Sequence, residues 1–189
     1  MLSRGLRFLT IALLGLSVSW ASAKGPVKRM EKKEVKPRLR IESPAFRPGT
    51  PIPRKFTCEG QNVSPALSWS GEPEGTKSVA LVVDDPDAPS KIWVHWVIFN
   101  IPSGMGELPE NVAKIPNLMN GTRQGMNDSR GTGWDGPCPP RGGPHRYYFH
   151  LYALDTVLGL GSNWTKDQLM AAMKGHVLAE GSLMGTYQR

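Results

Sequence analysis

Residues 92–99 read Ile-Trp-Val-His-Trp-Val-Ile-Phe, a run in which both alternating sets of side chains are apolar except for one histidine. A strand that is dry on both faces has to lie inside a packed sheet, so this segment predicts a central strand and a mainly β body. Residues 78–83 (Ser-Val-Ala-Leu-Val-Val) and 147–154 (Tyr-Tyr-Phe-His-Leu-Tyr-Ala-Leu) are apolar runs of the same kind, and 183–187 reads as a short final strand. Proline punctuates them: Asp84-Asp85-Pro86 closes the first, and a loop dense in Gly and Pro precedes the third. The chain holds 21 Gly and 17 Pro, more than a helical protein would tolerate.

Only one stretch argues for helix. Thr165 and Gln168 have capping-box spacing, Leu169, Met170 and Met173 make an apolar stripe, and Gly175 suits the left-handed stop. Residues 103–146 show no sustained periodicity, and a loop region of that length inside one domain usually carries function. Within it, 114–135 reads as a rim to whatever site the flanking strands build. With 189 residues, 39% apolar and 21% charged, the chain fits a single domain with a real core, and its 2 Cys exclude a disulfide-dense scaffold.

The net charge of +7 belongs to the start of the chain. Residues 1–40 carry ten Lys or Arg against two Glu, whereas the other 149 residues sum to −1. A nucleic-acid binder spreads its basic residues over a face of the folded body, so no nucleic-acid partner is expected. Arg4 and Arg7 precede an apolar run over 8–18, and Ala21-Ser22-Ala23 offers small residues before Lys24. That is the layout of a signal peptide over 1–23, which places the protein in the periplasm or outside the cell. Residues 24–40 read as a basic flexible linker, able to touch an anionic membrane surface, and 41–189 as the folded domain. In an oxidising compartment Cys58 and Cys138 can form one bond closing a loop of 80 residues; whether their Cα atoms approach is not readable from spacing.

Several signatures are absent or fail. Gly131-Thr132-Gly133-Trp134-Asp135-Gly136 has dinucleotide-motif spacing, but Pro137, Pro139 and Pro140 follow where a helix would have to hold pyrophosphate. There is no G-x-S-x-G, H-E-x-x-H, C-x-x-C or Walker loop, and so no cofactor is expected. Two proline-punctuated loops remain. One is Asp85-Pro86-Asp87-Ala88-Pro89, leading to His95 on the central strand; the other runs from Gly136 through Pro137, Cys138, Pro139 and Pro140 to His145, Arg146 and Tyr147. His145 and Tyr147 are two apart and point to one side of a strand, with Arg146 on the other.

These loops, in this order, together with Phe56-Thr57-Cys58-Glu59-Gly60-Gln61-Asn62-Val63-Ser64-Pro65 and the closing Leu178-Ala179-Glu180-Gly181 through Gly185-Thr186-Tyr187, resemble the phosphatidylethanolamine-binding protein family in its bacterial Raf-kinase-inhibitor-like branch. The resemblance covers about 41–189. It implies a Greek-key β fold of one large and one small sheet with few short helices. It also implies a small cavity for phosphate, acetate or a phosphoethanolamine head group, lined by Asp85, Asp87, His95, His145 and Tyr147 with backbone from Gly136 to Pro140. A modulatory role toward a kinase, protease or signalling protein belongs to the same family.

Chemistry supports such a lining: two imidazoles and a phenol are donors to an anion, and an aspartate beside a histidine holds Nδ1–H, leaves Nε2 facing the ligand and raises the ring pKa. Anion affinity is then expected to fall as pH rises. Two other classes compete with this non-enzymatic binding module. Asp85, Asp87, His95 and His145 are also ligand types for a divalent metal that activates water in a hydrolase. A structural surface protein would account for the basic linker and the β body, but has no use for paired histidines beside proline loops.

Overall fold

The computed structural model describes residues 38–189 apart from Leu160 and Ser162. The expected leader over 1–23 and residues 24–37 of the linker expected over 24–40 lie outside the described residues. The elements in chain order are β1 (Arg40–Glu42), a 3-10 turn (Arg54–Phe56), β2 (Leu67–Ser70), β3 (Ser78–Asp85), β4 (Trp93–Pro102), β5 (Glu107–Leu108), β6 (Arg123–Gln124), β7 (His145–Leu154), α1 (Lys166–Met173) and β8 (Val177–Tyr187). They form a five-stranded sheet in the order β6-β4-β3-β7-β8 and a three-stranded sheet β1-β2-β5. The expected mainly β fold, with one large and one small sheet, is what the chain adopts.

Every residue of β3 is buried, as a strand between two neighbours and two packed layers must be. Val79, Leu81 and Val83 face the small sheet and join Ile41, Leu67 and Trp69 in one core. Ala80 and Val82 face the other way, where Leu169 and Met173 of α1 cover them. The helix begins on both halves of the capping box between Thr165 and Gln168. Met170 departs from the expected apolar stripe: it is exposed, because an eight-residue helix lying on a sheet buries only the side shared by Leu169 and Met173.

Strict alternation along β4 would set His95 on the helix side with Val97 and Phe99. The ladder prevents this. Val83 pairs with Trp96 and Asp84 pairs with Val94, so His95 is the extra residue of a β-bulge. The bulge turns its side chain to the face that carries Trp96, toward the small-sheet side where Tyr147 lies; the two rings meet edge to face with centroids 5.2 Å apart.

Several boundaries differ from the sequence reading: β3 runs on to Asp85, β4 covers Trp93–Pro102, and β7 begins at His145. β8 is eleven residues long rather than a short strand over 183–187, its extra residues Val177–Ser182 pairing with the second half of β7. A Cβ at Gly181 would sit 2.2 Å from the Leu39 carbonyl oxygen, so glycine is what lets the incoming chain cross there, with Leu39 N–H donating to Glu180 O at 2.9 Å. Leu39 is only 5% exposed and Arg40 opens β1, so the folded body takes in residues assigned to the linker; the surrounding charge masked one core leucine. β2 was missed although Leu-Ser-Trp-Ser alternates buried and exposed as a half-buried strand should.

The second proline loop is fastened to the 3-10 turn at several points. Cys58 and Cys138 are joined in a disulfide with Cα atoms 5.4 Å apart. Closing an 80-residue interval is worth on the order of 4 kcal/mol in the chain-entropy model. Trp134, buried against Trp96 and Phe149, donates its Nε1–H to Phe56 O at 3.0 Å, and Gly136 N–H donates to Asn62 Oδ1 at 2.7 Å. A Cβ at Gly136 would lie 2.2 Å from Phe56 O, which is backbone and cannot swing away, whereas Gly142 has open space around it. Gly136→Ala is therefore expected to destabilise the fold by about 2 kcal/mol or more and Gly142→Ala to leave it unchanged, as read from urea midpoints.

Candidate functional site

The C-terminal end of β3, the bulge of β4 and the first residues of β7 enclose a cavity of about 300 Å³. Asp85, His95, Gly136, Pro139, Pro140, His145 and Tyr147 line it, as the sequence reading placed them. Asp87 and Pro137 do not. Asp87 is turned outward by Arg146, whose Nη2 and Nε donate to its two carboxylate oxygens at 2.7 and 2.9 Å. Pro137 is buried behind the wall, its carbonyl accepting from Cys58 N–H at 3.2 Å.

The two histidines are held differently. His145 Nδ1–H donates to Asp85 Oδ2 at 2.7 Å, and the other oxygen of Asp85 accepts the Asp87 N–H at 2.8 Å. This is the Asp–His arrangement expected from the sequence. His95 instead has a backbone partner: its Nδ1 lies 2.6 Å from the Asp135 carbonyl oxygen, which can only accept, so the proton sits on Nδ1. The Asp135 N–H returns a bond to His95 O at 3.0 Å. His95 is 4% exposed, and burial lowers its pKa below the ordinary 6.5 against the opposing pull of Asp135, Asp85 and Asp84. The raised pKa expected for a histidine beside an aspartate thus fails for His95, because desolvation outweighs its neighbours.

Tyr147 is wholly buried and its hydroxyl has no hydrogen-bond partner among the described residues. Burial, reinforced by the charge of Asp85, pushes its phenol well above the ordinary tyrosine range. Asp85 lies near and its charge acts on the phenol, while its two oxygens accept from His145 and from the Asp87 amide. A buried hydroxyl without a partner costs roughly 1–3 kcal/mol, and this one borders the cavity.

The matches to known proteins agree with this architecture. The family model for phosphatidylethanolamine-binding protein matches residues 42–188. The chain belongs to the phosphatidylethanolamine-binding protein family. A UPF0098 protein of Methanothermobacter thermautotrophicus is 52% identical over 151 residues, covering 80% of this chain and 99% of that one. A UPF0098 protein of Aquifex aeolicus is 42% identical, covering 80% of this chain and 89% of the other. Among solved structures, a homologue of the family from Chlamydia trachomatis matches with a TM-score of 0.74 at 40% identity, covering 80% of this chain and 98% of that one. E. coli YbcL, described as a member of the mammalian family, matches with a TM-score of 0.75 at 34% identity, covering 80% and 99%.

In this family member the lining also includes residues that the sequence reading did not select: Trp93, Ser129 and Asp135, with Ser90 at the lip. Ser129 Oγ–H donates to Asp135 Oδ2. Asp135 lay inside the rejected dinucleotide-like stretch, and the only sequence signal for it was its place beside Gly136. The rim role expected for 114–135 thus falls to two residues near its end. Of the four residues weighed as metal ligands, Asp87 is taken by Arg146, and among the described residues no group of three or more His, Cys, Asp or Glu side chains is placed to hold a metal.

The Arg146 guanidinium holds the Asp87 carboxyl at about 2, below the ordinary 3.8, so this pair contributes stability above pH 3.8 that is lost as pH falls toward 2. A carboxyl-detected NMR titration is expected to show that low midpoint for Asp87. Arg146→Gln is expected to return it toward the ordinary value.

Proposed function

We propose that this chain is a non-enzymatic binding protein whose cavity takes one small oxyanion of the phosphate type, inorganic phosphate or a phosphoethanolamine-like group. The observation that carries the reading is the partnerless Tyr147 hydroxyl at a cavity shared with two histidines, each already fixed through Nδ1. A donor kept dry without a partner is a binding contact waiting for an acceptor, and rigid strands on both sides hold it in place. Family membership supports the same reading.

The exposed Cys58–Cys138 bond supports a place in the periplasm or outside the cell, consistent with the leader expected over 1–23. A protein partner, kinase or protease in type, would have to be met in that compartment, and the basic stretch over 24–37 would bring the domain near an anionic membrane.

Tyr147→Phe separates function from packing. Phe keeps the ring and removes the partnerless hydroxyl, so the variant is expected to be at least as stable as the parent. Isothermal titration with inorganic phosphate is expected to show binding to the parent and a loss of about tenfold or more in the variant. No phosphate binding by the parent, or equal affinity in both, would contradict the reading.

A further inference from the structure

Among the described residues no lysine or arginine lines the cavity, whereas two carboxylates, Asp85 and Asp135, do. A fully ionised phosphate would therefore meet no permanent cation there and would lie beside two acidic side chains. The groups facing the ligand space are instead complementary in hydrogen bonding. Tyr147 O–H is a donor without a partner. His95, with its proton on Nδ1 for the Asp135 carbonyl, presents the lone pair of Nε2, for which the described residues supply no donor. The ring has acids on two sides: Asp84 and Asp85 at the end of β3, and Asp135 on the loop. Tyr147 of β7 packs against it edge to face, and His145 lines the same cavity.

A ligand that satisfies both groups offers an acceptor to Tyr147 and a donor to His95. Resting on the anion-binding reading, we propose that the cavity takes its anion together with one proton, held between His95 Nε2 and a ligand oxygen. The ligand class is then an oxyacid monoanion that still carries an ionisable proton, dihydrogen phosphate or a singly protonated phosphomonoester, in preference to sulfate or a phosphodiester. The proton balance is fixed by this bond. Where the ligand's second ionisation is incomplete, near or below about pH 6 for a phosphomonoester, the ligand brings the proton and none is taken from solvent. At higher pH each binding event draws one proton from the buffer, and affinity falls about tenfold per pH unit. The lowered pKa of His95 agrees with this, since an unliganded ring that stays neutral keeps its lone pair available.

The test is isothermal titration of the parent protein with inorganic phosphate, sulfate and dimethyl phosphate, from about pH 5.5 to about pH 8, in two buffers of different ionisation enthalpy. Proton uptake with phosphate is expected to rise from near none toward about one across that range. Near the acid end phosphate is expected to bind about tenfold or more tightly than sulfate or dimethyl phosphate, which carry no proton to share. His95→Asn keeps a donor for the Asp135 carbonyl and removes the base, and is expected to abolish both the uptake and the preference for phosphate. Phosphate binding with no proton uptake at any pH, or equal affinity for all three probes, overturns the proton-sharing bond while leaving the anion site standing. Failure of all three probes to bind overturns the anion site and the inference with it.

Discussion

One extra residue in β4 decides what this fold can present. Without the bulge at His95, the imidazole would join Val97 and Phe99 beneath the helix, and the end of β3 would face a wall of apolar side chains. With it, the imidazole lies beside Tyr147 and opens onto the cavity. A bulge survives only where the surrounding ladder over-determines it. Here β3 is buried along its whole length, and the Asp135 amide and carbonyl clamp residue 95 from the far side.

The cavity is therefore built from two unlike imidazoles rather than a symmetrical pair. His145 has a carboxylate behind it, and Asp85 is itself fixed by the turn that follows β3. His95 has a carbonyl behind it and almost no solvent around it, which keeps it neutral to lower pH than usual. The outward ion pair of Asp87 and Arg146 sits on the other side of the β7 backbone, where it steadies the same turn without entering the cavity. Adjacent residues thus divide into a dry chemical face and a wet structural one, as strand alternation requires.

Much of this was legible in the sequence because it rests on local periodicity. The apolar runs over 78–83 and 92–99 announced the central strands, Thr165 and Gln168 announced the helix start, and the spacing of His145 and Tyr147 put them on one face. What stayed hidden depended on pairing across the sheet or on distant backbone. The bulge exists only relative to β3. Asp135 acts mainly through its carbonyl, which every residue has. Trp134 is an anchor because Phe56 O happens to lie across from it. Leu39 and Gly181 make sense only when they are seen crossing each other. Asp87 was drawn into the lining because it has the right chemistry in the right loop; Arg146, one residue from the site histidine, takes it away.

The central claim is that His95 and Tyr147 face one ligand together, with the His95 proton on Nδ1. Imidazole nitrogen NMR of the uniformly labelled protein tests it most directly. The account predicts the Nδ1–H form for His95 in the free protein near neutral pH, and side-chain signals of His95, His145 and Tyr147 that all move along a single saturation curve as inorganic phosphate is added. His95 found with its proton on Nε2, or unmoved while phosphate saturates the protein, would contradict it.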